Sequence, residues 1–139
     1  MVDNLPDSIK VGTITVAVGG ASIDLFDKRI CKSYLKKQPD WMKNFASQYN
    51  GNPYARLIEL AKLAQKQGVI KGILLHQGET NNGDANWPNR VKTVYHDILK
   101  DLNLKAEDVP LLVGETVQKD QGGICWQHIA VVDDIAKTI

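Results

Sequence analysis

The order of elements in this chain points to an α/β fold in which a parallel sheet is covered by helices. Three observations carry that expectation. β-branched and aliphatic runs occur at residues 10–18, 69–75 and 109–113. Stretches with apolar residues at helical spacing separate them and follow the last. Glycine or polar punctuation closes each run.

The first run, Lys10 to Val18 (KVGTITVAV), is rich in valine, isoleucine and threonine and stops at Gly19-Gly20. It reads as a buried strand. Residues 21–51 scatter Tyr34, Trp41, Phe45 and Tyr49 among lysines, with Pro39 as a breaker. They are expected to form a long loop with a short helix near Trp41 to Tyr49. Asn52 then offers an N-cap with Pro53 at the first helical position. Leu57, Leu60, Ala61 and Ala64 follow at helical spacing, and Gly68 supplies a stop.

Val69 to Leu75 (VIKGILL) reads as the second strand, and Gly78 to Asn86 as a loop. Asn86 is expected to cap the next helix, with Pro88 in its first turn. Val91, Val94, Tyr95, Ile98, Leu99 and Leu102 mark that helix's apolar face. Val109 to Val113 (VPLLV) is the third strand, with Pro110 tolerable only near its start or at an edge. A loop over 117–125 and a helix carrying Ile129, Val132, Ala136 and Ile139 close the series.

Bulk composition narrows the function classes. The length of 139 residues suits one domain with its own core. Seventeen Lys and Arg stand against sixteen Asp and Glu. That balance leaves no basic footprint for nucleic acid or a charged membrane surface. No apolar run is long enough to span a bilayer, and no leader pattern opens the chain. Cys31 and Cys125 are far apart and lack metal-ligand spacing, so they read as two buried or half-buried thiols, a disulfide being the alternative that nothing in the sequence supports.

In a parallel α/β sheet, ligands bind beyond the carboxyl ends of the strands. Here those ends carry Gly19-Gly20, His76 to Glu79, and Gly114-Glu115. Each has an ordinary explanation beside a chemical one. Two glycines serve to turn the chain, and they also allow a backbone N–H to face an oxyanion. Gln77 is a polar residue for a neighbouring backbone, or a neutral donor to developing negative charge. Glu79 is a solvated acid, or an acid that orients a histidine. His76 is a loop anchor or a general base. Ser22 has no G-x-S-x-G elbow around it and reads as structural. His76, Glu79 and His128 do not make a zinc set, and neither a P-loop nor a dinucleotide fingerprint is present. The residue types suit acyl transfer or ester hydrolysis, with no obvious nucleophile.

VAVGGASIDLFDK (16–28) and IKGILLHQGETN (70–81) resemble the sialate O-acetylesterase and acetylxylan esterase group, carbohydrate esterase family six. NPYARLIELAKLAQKQGVIKGILLHQGETNNGD and VPLLVGE also look like bacterial members of it. These are SGNH-type hydrolases. The resemblance implies a three-layer α/β/α fold with a flavodoxin-like parallel sheet, and removal of O-acetyl groups from acetylated carbohydrate without metal or organic cofactor. It implies Gly20 as a backbone oxyanion donor and Gln77 as a side-chain donor. It makes Glu79 a candidate acid of the triad, in competition with the aspartate of a D-x-x-H block. His76 and Asn81 fall on the substrate side.

The chain departs from the family at both ends of its triad. It contains neither G-Q-S-N nor D-x-x-H. It reads as the middle of an esterase, a single partial domain over 1–139 that lacks the family's first and last strands. The family's serine strand lies between the strands matching residues 10–18 and 69–75. Without it, those two strands pair directly, or another polypeptide fills the gap, or the isolated chain folds poorly. Members of the family are often secreted or periplasmic. An inactive fragment or carbohydrate-binding remnant is the competing expectation.

Overall fold

A computed structural model describes residues 5–6 and 8–114. The helices α1 (Cys31–Lys36), α2 (Asp40–Ser47) and α3 (Pro53–Ala64) precede strand β1 (Ile73–Leu75); α4 (Trp87–Leu102) and strand β2 (Leu111–Val113) follow. Two 3-10 turns, Ile23–Phe26 and Glu79–Asn81, complete the order. The two strands are parallel, in register Ile73 with Leu111, Leu74 with Leu112 and Leu75 with Val113. A β-strand, a crossover helix and a parallel β-strand make a βαβ unit, so the α/β expectation holds. The helix expected over 129–139 lies outside the described residues.

α4 is the organiser. Its apolar residues recur at helical spacing, and all six expected on its inner face are buried. Trp87 joins them from the first turn. Trp87, Val91, Val94, Ile98 and Leu102 form the main core with Ile23, Tyr54, Ile58 and Ala61, and Ile73, Leu75, Leu111 and Val113 pack onto it from the sheet; Tyr95 and Leu99 form a second cluster with Val109. Asn103 ends the helix in the left-handed conformation at φ 54°, and the Leu104 N–H reaches back to Leu99 O at 2.8 Å. That is the bond of a Schellman-type stop, with asparagine where glycine is more usual.

The cap at the other end differs from expectation. Asn86 has helical dihedrals, φ −94° and ψ −1°, and its side chain makes no capping bond. A capping side chain needs an extended backbone to reach forward. Asp84 does the work instead. Its carboxylate accepts from Asn86 N at 3.0 Å and its carbonyl from Trp87 N at 3.0 Å. Asn52 caps α3 as expected, accepting from Ala55 N at 3.0 Å with Pro53 next. The buried face of α3 is rotated, however, onto Tyr54, Ile58 and Ala61. Leu57 packs only partly against the core.

Residues 10–18 form no strand, which corrects the first sequence expectation. The direct pairing of this run with residues 69–75 is not made: β1 pairs with β2. β-branched residues favour a strand chiefly by packing in a sheet, and this run has no ladder partner among the described residues. Val11 and Ile14 are consequently exposed. Only its end is fastened, by burial of Val18 against Ala21, Leu25 and Met42 and by the Tyr49 hydroxyl on Ala17 O. The second and third strands are shorter than expected for a related reason. Pro110 has no N–H to donate, so the ladder begins with Ile73 N on Pro110 O. Leu74 and Leu112, on the face away from α4, are 60% and 54% exposed.

Residues 21–51 hold more structure than a loop. α2 lies where a short helix was expected, with Pro39 at its N-cap, but α1 was not foreseen. Six residues are too few to show a periodicity. α1 is held by tertiary contacts, through buried Cys31 and through the Tyr34 hydroxyl, which accepts from Ser22 N at 3.0 Å.

A charged cluster ties the segment after the first 3-10 turn to α3 and α4. Lys28 Nζ lies 3.0 Å from Asp101 and 3.3 Å from Asp97, and the Tyr54 hydroxyl donates to Asp101 at 2.6 Å. The Tyr54 hydroxyl bond, then the Lys28 ammonium, hold the Asp101 carboxyl below its ordinary value of 3.8. Arg29 does the same for Asp27. Because these folded values are the lower ones, the unfolded chain binds more protons on acidification. Their stabilisation is full above about 3.8 and is lost as pH falls through the folded values. Burial first, and the Asp101 bond second, push Tyr54 well above its ordinary 10.0. Its contribution is full below that value and declines as pH rises beyond it. Urea midpoints measured across pH are therefore expected to fall at both extremes. Asp101→Asn should flatten the acid limb, and an acid decline as steep as wild type would exclude Asp101 as a contributor.

Candidate functional site

The site begins with the turn Val18-Gly19-Gly20-Ala21, closed by Ala21 N on Val18 O at 3.3 Å. Gly20 adopts φ +69°, the third-position conformation of a type II turn that side chains rarely tolerate. A Cβ there would also stand 3.3 Å from the Trp41 ring. The left-handed φ is what favours glycine here, and the nearby ring adds crowding to any side chain. Its N–H has no hydrogen-bond partner among the described residues, and its carbonyl accepts from the Thr80 hydroxyl at 3.0 Å.

The HQGETN loop leaves the carboxyl end of β1 and docks on this turn. Gly78 at φ 148° swings the chain into the 3-10 turn Glu79–Asn81. Asn81 is the hub and is one of two buried polar residues in the described core, Ser22 being the other. Its Oδ1 accepts from Ile23 N at 3.0 Å and from Gln77 Nε2 at 2.7 Å. Its Nδ2 donates to Ser22 Oγ at 3.1 Å and to Asp84 at 3.4 Å. One side chain therefore binds the segment after the glycine turn to both ends of the HQGETN loop.

Gln77 is held on three sides. Nε2 also donates to Ala21 O at 3.4 Å, and Oε1 accepts from the Trp87 indole N–H. Trp87 is fully buried, so the carboxamide is orientated by a rigid donor. Ser22 Oγ accepts from Asp24 N at 3.2 Å as the cap of the first 3-10 turn. Its burial and its bonds fit the structural role expected of it. Arg90 pairs with Asp24 and lies 3.5 Å from Asp84, which pins this turn to α4.

His76 and Glu79 occupy the solvent side. Nε2 and Oε1 stand 4.0 Å apart, and the side chains are 80% and 45% exposed. His76 also borders the end of β2, where its Nδ1 lies 3.2 Å from the Cβ position of Gly114. The ends of β1 and β2 therefore converge as expected; Glu115 lies outside the described residues. The structure gathers Gly20, Gln77 and Asn81 into one bonded unit and leaves His76 and Glu79 at its rim. Among the described residues no three His, Cys, Asp or Glu side chains are placed to hold a metal ion. Sequence reasoning missed Thr80, Asp84 and Trp87. Thr80 sits inside the motif and was legible; Trp87 looked like any core aromatic.

No solved structure matches the chain. A family model described as "Carbohydrate esterase, sialic acid-specific acetylesterase" matches residues 1–139. With the glycine turn and the HQGE loop assembled at one sheet edge, and with a match over the full sequence, the chain belongs to this family of SGNH-type carbohydrate esterases.

Proposed function

We propose that these 139 residues form the donor side of a site that removes O-acetyl groups from carbohydrate, sialate or acetylxylan esters being the substrate class. The observation that carries this reading is the direct fastening of the glycine turn to the HQGE loop, through Thr80 on Gly20 and Asn81 on Ile23 and Ser22. In such a reaction a serine oxygen attacks the acetyl carbonyl, a histidine takes its proton, and the sugar hydroxyl leaves; water then releases acetate. The negative oxygen needs fixed donors. The Gly20 N–H is an unoccupied donor of the turn. Gln77 is the second candidate, by way of its 3.4 Å bond to Ala21 O, long enough to be exchanged for a substrate oxygen. Glu79 is the candidate to support a histidine, and His76 and Asn81 are assigned to the substrate side, Asn81 acting through Gln77.

By the same reading the chain is catalytically silent by itself. Its sequence holds neither the G-Q-S-N nor the D-x-x-H block, and Ser22 is buried with its hydroxyl engaged. A further segment or a second chain would complete the sheet, and the exposure of Leu74 and Leu112 leaves one of its faces open to a covering layer. Hydrolysis of 4-nitrophenyl acetate by the purified 139-residue chain is expected to match the unfolded chain and the buffer. Saturable turnover abolished by Ser22→Ala would overturn the silence and make Ser22 the nucleophile.

A further inference from the structure

α2 presents two large aromatic side chains to solvent, Trp41 at 50% exposure and Phe45 at 54%. They lie one helical turn apart, with ring centroids 6.4 Å apart and planes at 78°. Such a pair of rings in water marks a binding surface more often than an isolated apolar residue does. These rings are not loosely held. Met42 and Ala46, on the adjoining face of α2, are buried. Just past the helix, the Tyr49 hydroxyl grips Ala17 O at 3.2 Å. The helix is therefore fastened to the segment that enters the glycine turn. The Trp41 ring reaches the turn itself, at the 3.3 Å approach to the Gly20 Cβ position.

We propose that Trp41, braced by Phe45, is a stacking platform for a pyranose ring next to the Gly20 turn. The inference rests on the carbohydrate-ester reading and adds to it the place where the sugar lies. A pyranose has an apolar C–H face and a rim of hydroxyl groups. An indole offers the matching flat, electron-rich face and a polar N–H at its edge. A ring stacked on Trp41 has its substituents beside the Gly20 N–H, so the platform orders the sugar while the turn meets its ester. A rigid aromatic gives this area at little cost in conformational entropy. The exposed Leu74 and Leu112 face offers no comparable argument, because nothing there is continuous with the turn.

The test is a titration of the full 139-residue chain with two probes, xylotetraose and N-acetylneuraminic acid. The indole N–H signals are followed by NMR and assigned with Trp41→Phe. The Trp41 signal is expected to move saturably with at least one probe, which identifies the sugar class. Trp41→Ala should weaken that binding about ten-fold or more, the loss typical of a central aromatic anchor. Trp41→Phe should keep most of it, and Phe45→Ala should weaken it less. Both positions are exposed, so circular dichroism of the variants should match wild type. Binding that ignores Trp41→Ala would overturn the platform and leave the carbohydrate reading standing. Failure of wild type to bind either probe would overturn both. A Trp41 signal that moves with protein concentration, and not with sugar, would make the patch a contact between copies and also overturn the proposal.

Discussion

Trp87→Ala is expected to destabilise the chain by about 3–5 kcal/mol, the usual cost of removing a buried tryptophan from a close-packed core. Trp87 is 0% exposed and sits at the first turn of α4, where the main core meets the HQGETN loop. A domain of this size has roughly 5–15 kcal/mol to lose. The variant should therefore unfold at markedly lower urea, and in the least stable case be substantially unfolded at 37 °C. Trp87→Phe separates packing from bonding. It keeps most of the ring volume but deletes the N–H that meets Gln77 Oε1. Its cost should be clearly smaller, with the Gln77 side-chain amide signals shifted in the NMR spectrum. A loss below about 1 kcal/mol for Trp87→Ala would mean that the core closes around the gap, contrary to the rigidity argued for this residue.

Asn81→Ala should be the most damaging polar substitution at the site. It leaves the Ile23 N–H without its acceptor in a buried position, and an orphaned buried donor costs about 1–3 kcal/mol. It also frees Gln77 Nε2 and Ser22 Oγ from their partner, so the loop and the glycine turn lose their joint. Hydrogen exchange should show the Ile23 amide opening faster than the amides of α4. Asn81→Asp is the informative companion. It keeps an acceptor for Ile23 N but sets a second carboxylate next to Asp84, now 3.4 Å from Asn81 Nδ2. Like charges at that distance raise a carboxyl pKa. Asn81→Asp should consequently approach wild-type stability as pH falls and its carboxyl takes a proton, whereas Asn81→Ala should not. Equal urea midpoints for Asn81→Ala and wild type would show that the hub carries no weight.

The contrast between these residues shows where reading along a sequence succeeds. α4 was legible because its signal is local and repetitive: six apolar positions at helical spacing define one buried face whatever packs on it. The α3 cap was legible because an N-cap and its target lie three residues apart. The α3 face was misjudged by one position, since Pro53, Tyr54 and Ile58 are buried by what the chain brings against them. Residues 10–18 were misread because a strand is half of a pairing, and the sequence shows only one half.

For the site, sequence alone determined the family resemblance. The residue types of the glycine turn and the HQGE loop, and their likeness to a carbohydrate esterase family, are properties of short contiguous motifs, and the family match over residues 1–139 agrees with them. Tertiary structure decided which of those residues face each other. Gln77 and Asn81 turn inward because Trp87, Ile23 and Ser22, distant along the chain from one or the other, present the donors and acceptors that satisfy them. His76 and Glu79 stay at the rim because nothing comparable among the described residues reaches them. Trp41 comes to rest on Gly20 because Met42 and Ala46 need burial on the neighbouring face of the same helix. Motifs specify what a residue is able to do; burial and hydrogen-bond satisfaction, which depend on segments far apart in sequence, decide whether it is free to do it.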